Sequence, residues 1–390
     1  MKKVIILISL MFILGGCYNY KELNNYSIAT GMAIDYEDNK YEVSMLISNS
    51  SKNSSEQGSS YQTVVYSGEG KTIYEAIKNV GLISPKEIYI GHLSVIVISE
   101  NTAKEGLYKS LDFLLEEPRS KKNFYVVLAK GDKAKDVLSI TTPLSDFPSQ
   151  TLADNIQSTD LLQGSVVAID FNTLMYDLLN EGIDPVLNGF KVVGDAKDGA
   201  KASNVETNLP KAYLKLTSLG IFKGDKLIKW ATQDESRGIN IVNDKTKESY
   251  VQTKCQDGYI VINTEKISSE VSVDKEGNVA IEINGHGLIN EVTCDVDLND
   301  QKTIDGIEKK AENKIKKFVK KAINLSKETK ADLFGIGHKF YQDHPKEYQE
   351  IENWDEYLTT IDYDVKVKID LNHTGSIQQS IERITNEENN

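Results

Sequence analysis

The chain is poor in the residues from which reactive centres are usually built. Cysteine occurs three times in 390 residues, at positions 17, 255 and 294 and never as a C-x-x-C pair, which excludes a zinc ribbon or a thioredoxin-type redox motif. Five histidines (92, 286, 338, 344, 373) are scattered, and none pairs with another at the three- or four-residue spacing of a helical metal site, His338 and His344 lying six apart. No H-E-x-x-H or G-x-S-x-G motif accompanies them, so hydrolase chemistry has no visible nucleophile or metal. The expectation is a protein that is not an enzyme, without catalytic, cofactor-binding or metal-ligating residues. Cations are in deficit, 45 Lys and Arg against 58 Asp and Glu for a net −13, and nucleic acid is not an expected partner. Hydrophobic residues make up 39% and charged residues 26%, ordinary globular values that exclude a collagenous, disordered or polytopic membrane chain. The length suits two or three compact domains.

What is present begins at the N-terminus. Lys2 and Lys3 precede an apolar run from Val4 to Leu14, interrupted only by Ser9. The run is short of the roughly 20 apolar residues that a permanent spanning helix needs, and it has the layout of an export signal. It ends in Leu14-Gly15-Gly16-Cys17, a bacterial lipobox: two small residues let the peptidase reach the backbone, and the Cys17 thiol takes up diacylglycerol. Residues 1–16 are therefore expected to be removed. Cys17 becomes the lipidated N-terminus, anchored on the outer face of a cytoplasmic membrane by covalent diacylglycerol, with no other cofactor. Two acyl chains give stable anchoring where one is marginal. Without Lys2 and Lys3, the remaining 43 Lys and Arg against 58 Asp and Glu give −15.

Along the mature chain, Tyr41, Val43, Met45 and Ile47 alternate with polar residues as a half-buried strand does, and they lead into a serine-rich linker over 49–60. Thr63–Tyr66 reads as a strand, Ile73, Ala76, Ile77 and Val80 as a helix, and Leu93–Ile98 as a strand covered on both faces. A helix from about Thr102 to Glu116, stopped by Pro118, and a strand Phe124–Ala129 follow, an α/β unit. Residues 194–210 are polar and Pro-terminated and mark a boundary or a long loop beside it. Beyond them come hairpins at Gly224-Asp225 and Gly277-Asn278, one long helix with Ile304, Ile307, Ala311, Ile315, Phe318 and Ala322 on one stripe, and an alternating strand Val365–Leu371. The expected fold is multi-domain α+β with mixed and antiparallel sheets: a domain or two subdomains over 17–200 and a C-terminal α+β domain over 205–385.

Three local patterns have simple explanations. Gly68-Glu69-Gly70-Lys71-Thr72 lacks the first glycine of a phosphate loop, Val65 and Tyr66 standing five and four residues before Gly70, and Thr72-Ile73-Tyr74-Glu75 reads instead as a capping box. Lys309, Lys310, Lys314, Lys316, Lys317, Lys320 and Lys321 crowd the long helix, either as the solvated face opposite its apolar stripe or as a surface for anionic headgroups or an acidic partner. Cys255 and Cys294 leave two states open, a disulfide or two buried thiols.

Several segments together resemble the Ger(x)C family, the C subunit of bacterial spore nutrient germinant receptors. Tyr18-Asn19-Tyr20-Lys21-Glu22-Leu23 is similar to the family's Cys-Trp-Asp-basic-Glu opening, with Tyr18 where Trp is usual. Further matches are Gly91-His92-Leu93, Gly106-Leu107 with Leu111-Asp112-Phe113-Leu114, and the stretch Gly220–Leu227. The most specific block is Lys330–Gly337 (KADLFGIG), followed by His344-Pro345, Trp354 and His373-Thr374-Gly375-Ser376, with Tyr348 in place of an expected Trp. The resemblance implies a lipoprotein subunit on the spore inner membrane, with two integral-membrane partners, the A and B subunits. It implies a role in receptor assembly and the nutrient response, and no catalytic residues; Cys17 alone carries over with a defined role. The alternative, from a different class, is an extracytoplasmic lipoprotein that captures a small molecule between its two halves.

Overall fold

A computed structural model describes residues 25–48, 63–117, 120–162, 164–246, 248–256 and 258–371. Cys17, the 49–60 linker, Pro118 and the His373–Ser376 block lie outside the described residues. Two mixed sheets and twelve helices make a multi-domain α+β fold, among the described residues.

The first sheet is built from β1 (Tyr26–Glu37), β2 (Lys40–Ser48), β3 (Thr63–Gly70), β4 (Glu87–Tyr89), β5 (Val95–Ser99), β6 (Tyr125–Ala129), β7 (Val186–Gly194), β8 (Ala212–Lys223) and β9 (Lys226–Trp230). Its order is β3-β2-β1-β5-β6-β7-β8-β9, with β4 added beside β1. The β1, β5, β6 and β7 strands run parallel, the expected α/β unit, while hairpins extend the sheet at both edges. The helices are α1 (Ile73–Gly81), α2 (Glu100–Glu105), α3 (Leu107–Glu116), α4 (Ala134–Ser139), α5 (Pro148–Leu162), α6 (Phe171–Leu179) and α7 (Ala196–Gly199). Helices pack on both sides: one core gathers Ile34, Ile96, Ile98, Leu111 and Phe171, the other Val95, Val97, Val127, Leu138 and Leu152. Every side chain of β5 is buried, which is why that strand reads as an unbroken apolar run.

The α1 start is capped as its sequence indicates, Thr72 Oγ1 accepting from the Glu75 N–H at 3.2 Å. Glu75 closes the turn one residue further back, accepting from the Lys71 N–H at 2.7 Å. The single helix expected over 102–116 is instead two, α2 and α3. Gly106 separates them with φ +128, outside the helical region, and a side chain there would meet the Asp225 carboxylate at 2.5 Å.

The second sheet, β10 (Glu248–Cys255), β11 (Gly258–Val273), β12 (Val279–Val292) and β13 (Tyr363–Leu371), is antiparallel except for the β12–β13 pair. The Gly277-Asn278 turn joins β11 to β12 as expected. Helix α8 (Gln233–Val242) precedes this sheet, and α9 (Gln301–Thr329), α10 (Ile336–Asp343), α11 (Pro345–Gln349) and α12 (Trp354–Thr360) lie between β12 and β13. The α9 stripe Ile307, Ala311, Ile315, Phe318 and Ala322 is buried, and much of the lysine face is engaged locally. Lys314 lies over the Phe318 ring, Lys310 donates to the Lys254 carbonyl, and Lys321 pairs with Asp234 on α8. Cys255 and Cys294 form a disulfide, with Cα atoms 6.3 Å apart, that ties the end of β10 to the segment after β12.

The first sheet runs past the boundary expected at 200–205. Residues 212–230, assigned on sequence to the C-terminal domain, pair with β7 through β8 and then β9, Val186 opposite Ile221. The polar 194–210 stretch is a loop held to this sheet: the buried Asn204 amide donates to the Thr141 and Ala212 carbonyls, and its oxygen accepts from the Ala212 N–H. Polarity there reflects a surface connection between two paired strands of the first sheet.

Candidate functional site

Four of the segments that carry the resemblance, at 106–107, 220–227, 330–337 and Trp354, lie far apart in the chain and converge in space where the two sheets meet. The organiser is Asp332, which has no solvent exposure. Residues 331–337 form the approach to α10, and the first N–H groups of a helix have no partner inside it. Asp332 supplies one. Its Oδ1 accepts from the Ile336 and Phe334 N–H groups at 3.0 and 3.3 Å, and its Oδ2 from the Gly337 N–H at 2.7 Å and the Trp354 Nε1–H at 3.1 Å. Gly335 turns the chain at φ +64. Gly337 is small because the Trp354 indole and Gly182 Cα stand 2.6 and 2.8 Å from where a Cβ would sit.

Asp184, 7% exposed and directly before Pro185, carries the contact across to the first sheet. It accepts from the Asp332 N–H at 2.7 Å and from the Gly224 N–H in the β8–β9 turn at 2.6 Å, and its own N–H donates to the Asp332 carbonyl at 2.8 Å. Lys223 bridges Asp184 at 3.0 Å and Asp355 of α12 at 2.7 Å. Asp225, in the same turn, accepts through its carbonyl from the Leu107 N–H at 2.8 Å and through its carboxylate from the Tyr108 N–H at 3.2 Å. The blocks 106–107, 220–227 and 330–337 and Trp354 are thus one hydrogen-bonded assembly. Tyr348, at the position of the expected Trp, keeps the aromatic role, its ring 5.4 Å from Trp354 and edge-on to Phe340 at 6.2 Å.

The electrostatics are those of a structural junction. Burial pushes the Asp332 carboxyl up to about 6, against the three backbone N–H groups that favour its anion, while the Asp184 charge adds to the rise. Burial works against the Lys223 charge, yet Asp355 and Asp184 outweigh it and raise its pKa. His338 is held by the Tyr176 hydroxyl at 2.8 Å and Gln342 at 2.9 Å, and His344 by the Val273 carbonyl at 3.2 Å. Among the described residues no cluster of His, Cys, Asp and Glu is arranged to hold a metal. The assembly fixes geometry and offers no nucleophile beside a free base.

A cavity of about 280 Å³ adjoins this junction, lined from one side by Ile169, Asp177 and Val186 and from the other by Asn240, Lys245 and Leu333. Burial raises the Asp177 carboxyl to about 6, with the Lys245 charge opposing it. A carboxyl raised on folding stabilises the fold below its unfolded value near 4, and that contribution disappears as pH rises through 6. Asp177→Asn therefore removes part of the decline in stability between pH 4.5 and 6.5, by about 2 kcal/mol. Urea denaturation of both proteins at those two pH values measures it, and equal declines would contradict it.

Neither Asp184 nor Asp177 stands out in the sequence: each is a single acid in an unremarkable local pattern, and its role comes from a partner more than sixty residues away. Asp332 was contained in the KADLFGIG block, without an assigned role. Cys17, the lipidation residue expected from sequence, is outside the described residues. No helix among the described residues is long and apolar enough to cross a membrane.

The chain matches two family models, a spore germination protein N-terminal domain over residues 19–192 and a spore germination B3/GerAC-like C-terminal region over 217–375. It is 27% identical to spore germination protein KC of Bacillus subtilis (strain 168), covering 95% of each chain. To spore germination protein B3 of the same organism it is 22% identical, covering 94% of this chain and 96% of the relative. The crystal structure of the GerBC protein shares the fold, with a TM-score of 0.52 at 17% identity over 90% of this chain and 99% of that one. The relatives therefore span both sheets and the junction between them, and the chain belongs to the Ger(x)C family of spore germination proteins.

Proposed function

We propose that the chain is the lipid-anchored C subunit of a spore nutrient germinant receptor, acting as a rigid extracytoplasmic scaffold with no reaction of its own. After export and cleavage, Cys17 carries diacylglycerol on the outer face of the spore inner membrane. The folded body binds extracytoplasmic surfaces of the integral-membrane A and B subunits and supports their assembly and the nutrient-triggered response. The observation that carries this reading is the buried Asp184–Lys223–Asp332 assembly, which spends the family's most specific residues on locking two sheets together. The Leu14–Cys17 sequence and the Cys255–Cys294 disulfide both suit an exported protein.

Spores carrying Cys17→Ala test it. The protein is expected to leave the membrane fraction and nutrient germination to slow several-fold, while a nutrient-independent trigger still works. Unchanged membrane fractionation together with unchanged germination would overturn it.

The cavity beside Asp177 favours a second reading, capture of a small molecule between the two halves, because residues of both line it. Calorimetry of the full chain with amino acids and sugars separates the two: saturable heat lost in Asp177→Asn supports capture, and its absence supports the scaffold.

A further inference from the structure

The start of the described chain and a turn with two adjacent exposed apolar residues occupy one end of the first sheet. Strands β1 and β4 pair in parallel, Tyr26 opposite Glu87 and Ile28 opposite Tyr89, so both begin at the same end. The turn leading into β4 places Leu82 and Ile83 in solvent at 84% and 56% exposure. Ser84, next in sequence, donates to the Ser27 hydroxyl at 3.1 Å, fixing the turn against the start of β1. Tyr74 on α1, 62% exposed, and the end of α3, where Leu115 is also exposed, flank a groove of about 300 Å³ beside the turn. Lys122 donates to the Leu115 carbonyl, and Lys86 and Lys121 are exposed nearby in sequence. The Tyr26 and Tyr89 rings stack 5.5 Å apart at the same end.

Glu87, Glu116 and Glu117 line the groove with Lys78, so its charge is mixed, but largely exposed apolar side chains beside tyrosines suit a bilayer interface, where aromatic rings sit at headgroup depth. Chain length supplies the occupant. Cys17 precedes Tyr26 by nine residues, which reach about 30 Å when fully extended. A lipid on Cys17 therefore keeps this end of the sheet within about 30 Å of the bilayer surface.

We propose that the Leu82-Ile83 turn, with Tyr74 and Leu115 beside it, is a membrane-contacting face that inserts into the headgroup region and sets the orientation of the anchored protein. The proposal rests on lipidation at Cys17. It adds a second contact, which together with the anchor fixes the attitude of the protein toward the membrane.

The test uses full-length lipidated protein in vesicles of phosphatidylglycerol and phosphatidylethanolamine with brominated acyl chains. Tryptophan is placed at the turn (Leu82→Trp and, separately, Ile83→Trp) or at Leu209, which is 80% exposed. Leu209 lies just before β8, whose first residue pairs with the last of β7, at the opposite end of the sheet. Relative to the parent protein with its two native tryptophans, the turn variants should show at least twofold stronger bromine quenching than Leu209→Trp, with a blue-shifted emission. Co-flotation with vesicles, lost on Cys17→Ala, reports the anchor separately. Co-flotation without preferential quenching at either turn position overturns the contact and leaves the anchor standing. Failure to co-float overturns both. Quenching absent in vesicles, but with the turn tryptophan shielded from iodide in spore membranes, overturns the lipid contact in favour of a protein partner on the same face.

Discussion

Asp332→Ala should destabilise the protein by about 4 kcal/mol, read as a shift in the midpoint of urea denaturation. The substitution removes an acceptor shared by three backbone N–H groups and the Trp354 indole, all in a place where water does not replace it. Each buried donor left unpaired costs about 1–3 kcal/mol, and partial relaxation keeps the total below the sum. Asp332→Asn should cost about half as much, because the amide oxygen still accepts along one edge while its NH₂ opposes donors on the other. Asp355→Asn is the internal control. It loses a Lys223 contact at a carboxylate that is 44% exposed, and it should cost less than 1 kcal/mol. If Asp332→Ala cost no more than Asp355→Asn, the junction would not be centred on Asp332. The raised Asp332 pKa adds a signature in pH: the wild-type contribution is full below pH 4 and declines through pH 6, the same sign as for Asp177.

The second large effect is expected at Gly182, a residue in neither core. Its φ is +74, and its carbonyl accepts from the His338 N–H at 3.1 Å. A Cβ at this position would stand 2.4 Å from the His338 nitrogen and 2.5 Å from the Gly337 carbonyl carbon, both backbone atoms that cannot rotate away. Gly182→Val therefore adds overpacking of about 1–3 kcal/mol to the left-handed backbone cost of about 1–2 kcal/mol. The strain falls on the junction rather than on either sheet. The expected result is unfolding in two transitions where the wild type shows one, with early proteolytic cleavage near 330–337. Gly131→Ala separates the two terms, since Gly131 has a similar φ of +75 and open space around it. It should cost only the backbone term. A single unshifted transition for Gly182→Val would show that the junction tolerates being parted.

Together these results bear on why the chain would carry so specific a set of residues at the junction. Buried hydrogen-bonded acids add little net stability compared with apolar packing, but they allow one arrangement and penalise others. In the proposed scaffold role, a unique relation between the two sheets would be the useful property. The core supports the same view: Ile239, Ala322, Leu325 and Leu333, from the C-terminal helices and the 331–337 approach, pack into the cluster that also holds Phe171 and Leu187. The apolar core and the polar junction therefore cross the same line.

The sequence by itself determined what depends on residues close together in the chain. The α9 stripe, the turns at Gly224-Asp225 and Gly277-Asn278 and the buried character of β5 are local patterns, and each is legible because helix and strand periodicity repeat within a few residues. The family was also legible, since its blocks occur in order along the chain. Tertiary structure alone decided what joins distant segments. Nothing within 212–230 states that those strands belong to the first sheet, because an edge hairpin reads the same whichever sheet receives it. The spacing of Cys255 and Cys294 was compatible with free thiols until folding brought the end of β10 and the segment after β12 together across β11. A glycine between two good helical segments, Gly106, broke a helix because Asp225, more than a hundred residues later, occupies the space a side chain would need. Asp184 and Asp332, 148 residues apart, acquire their role only from each other. Periodicity reports which face of an element is buried, whereas the identity of what buries it is settled by packing and by the hydrogen bonds that buried polar groups must find.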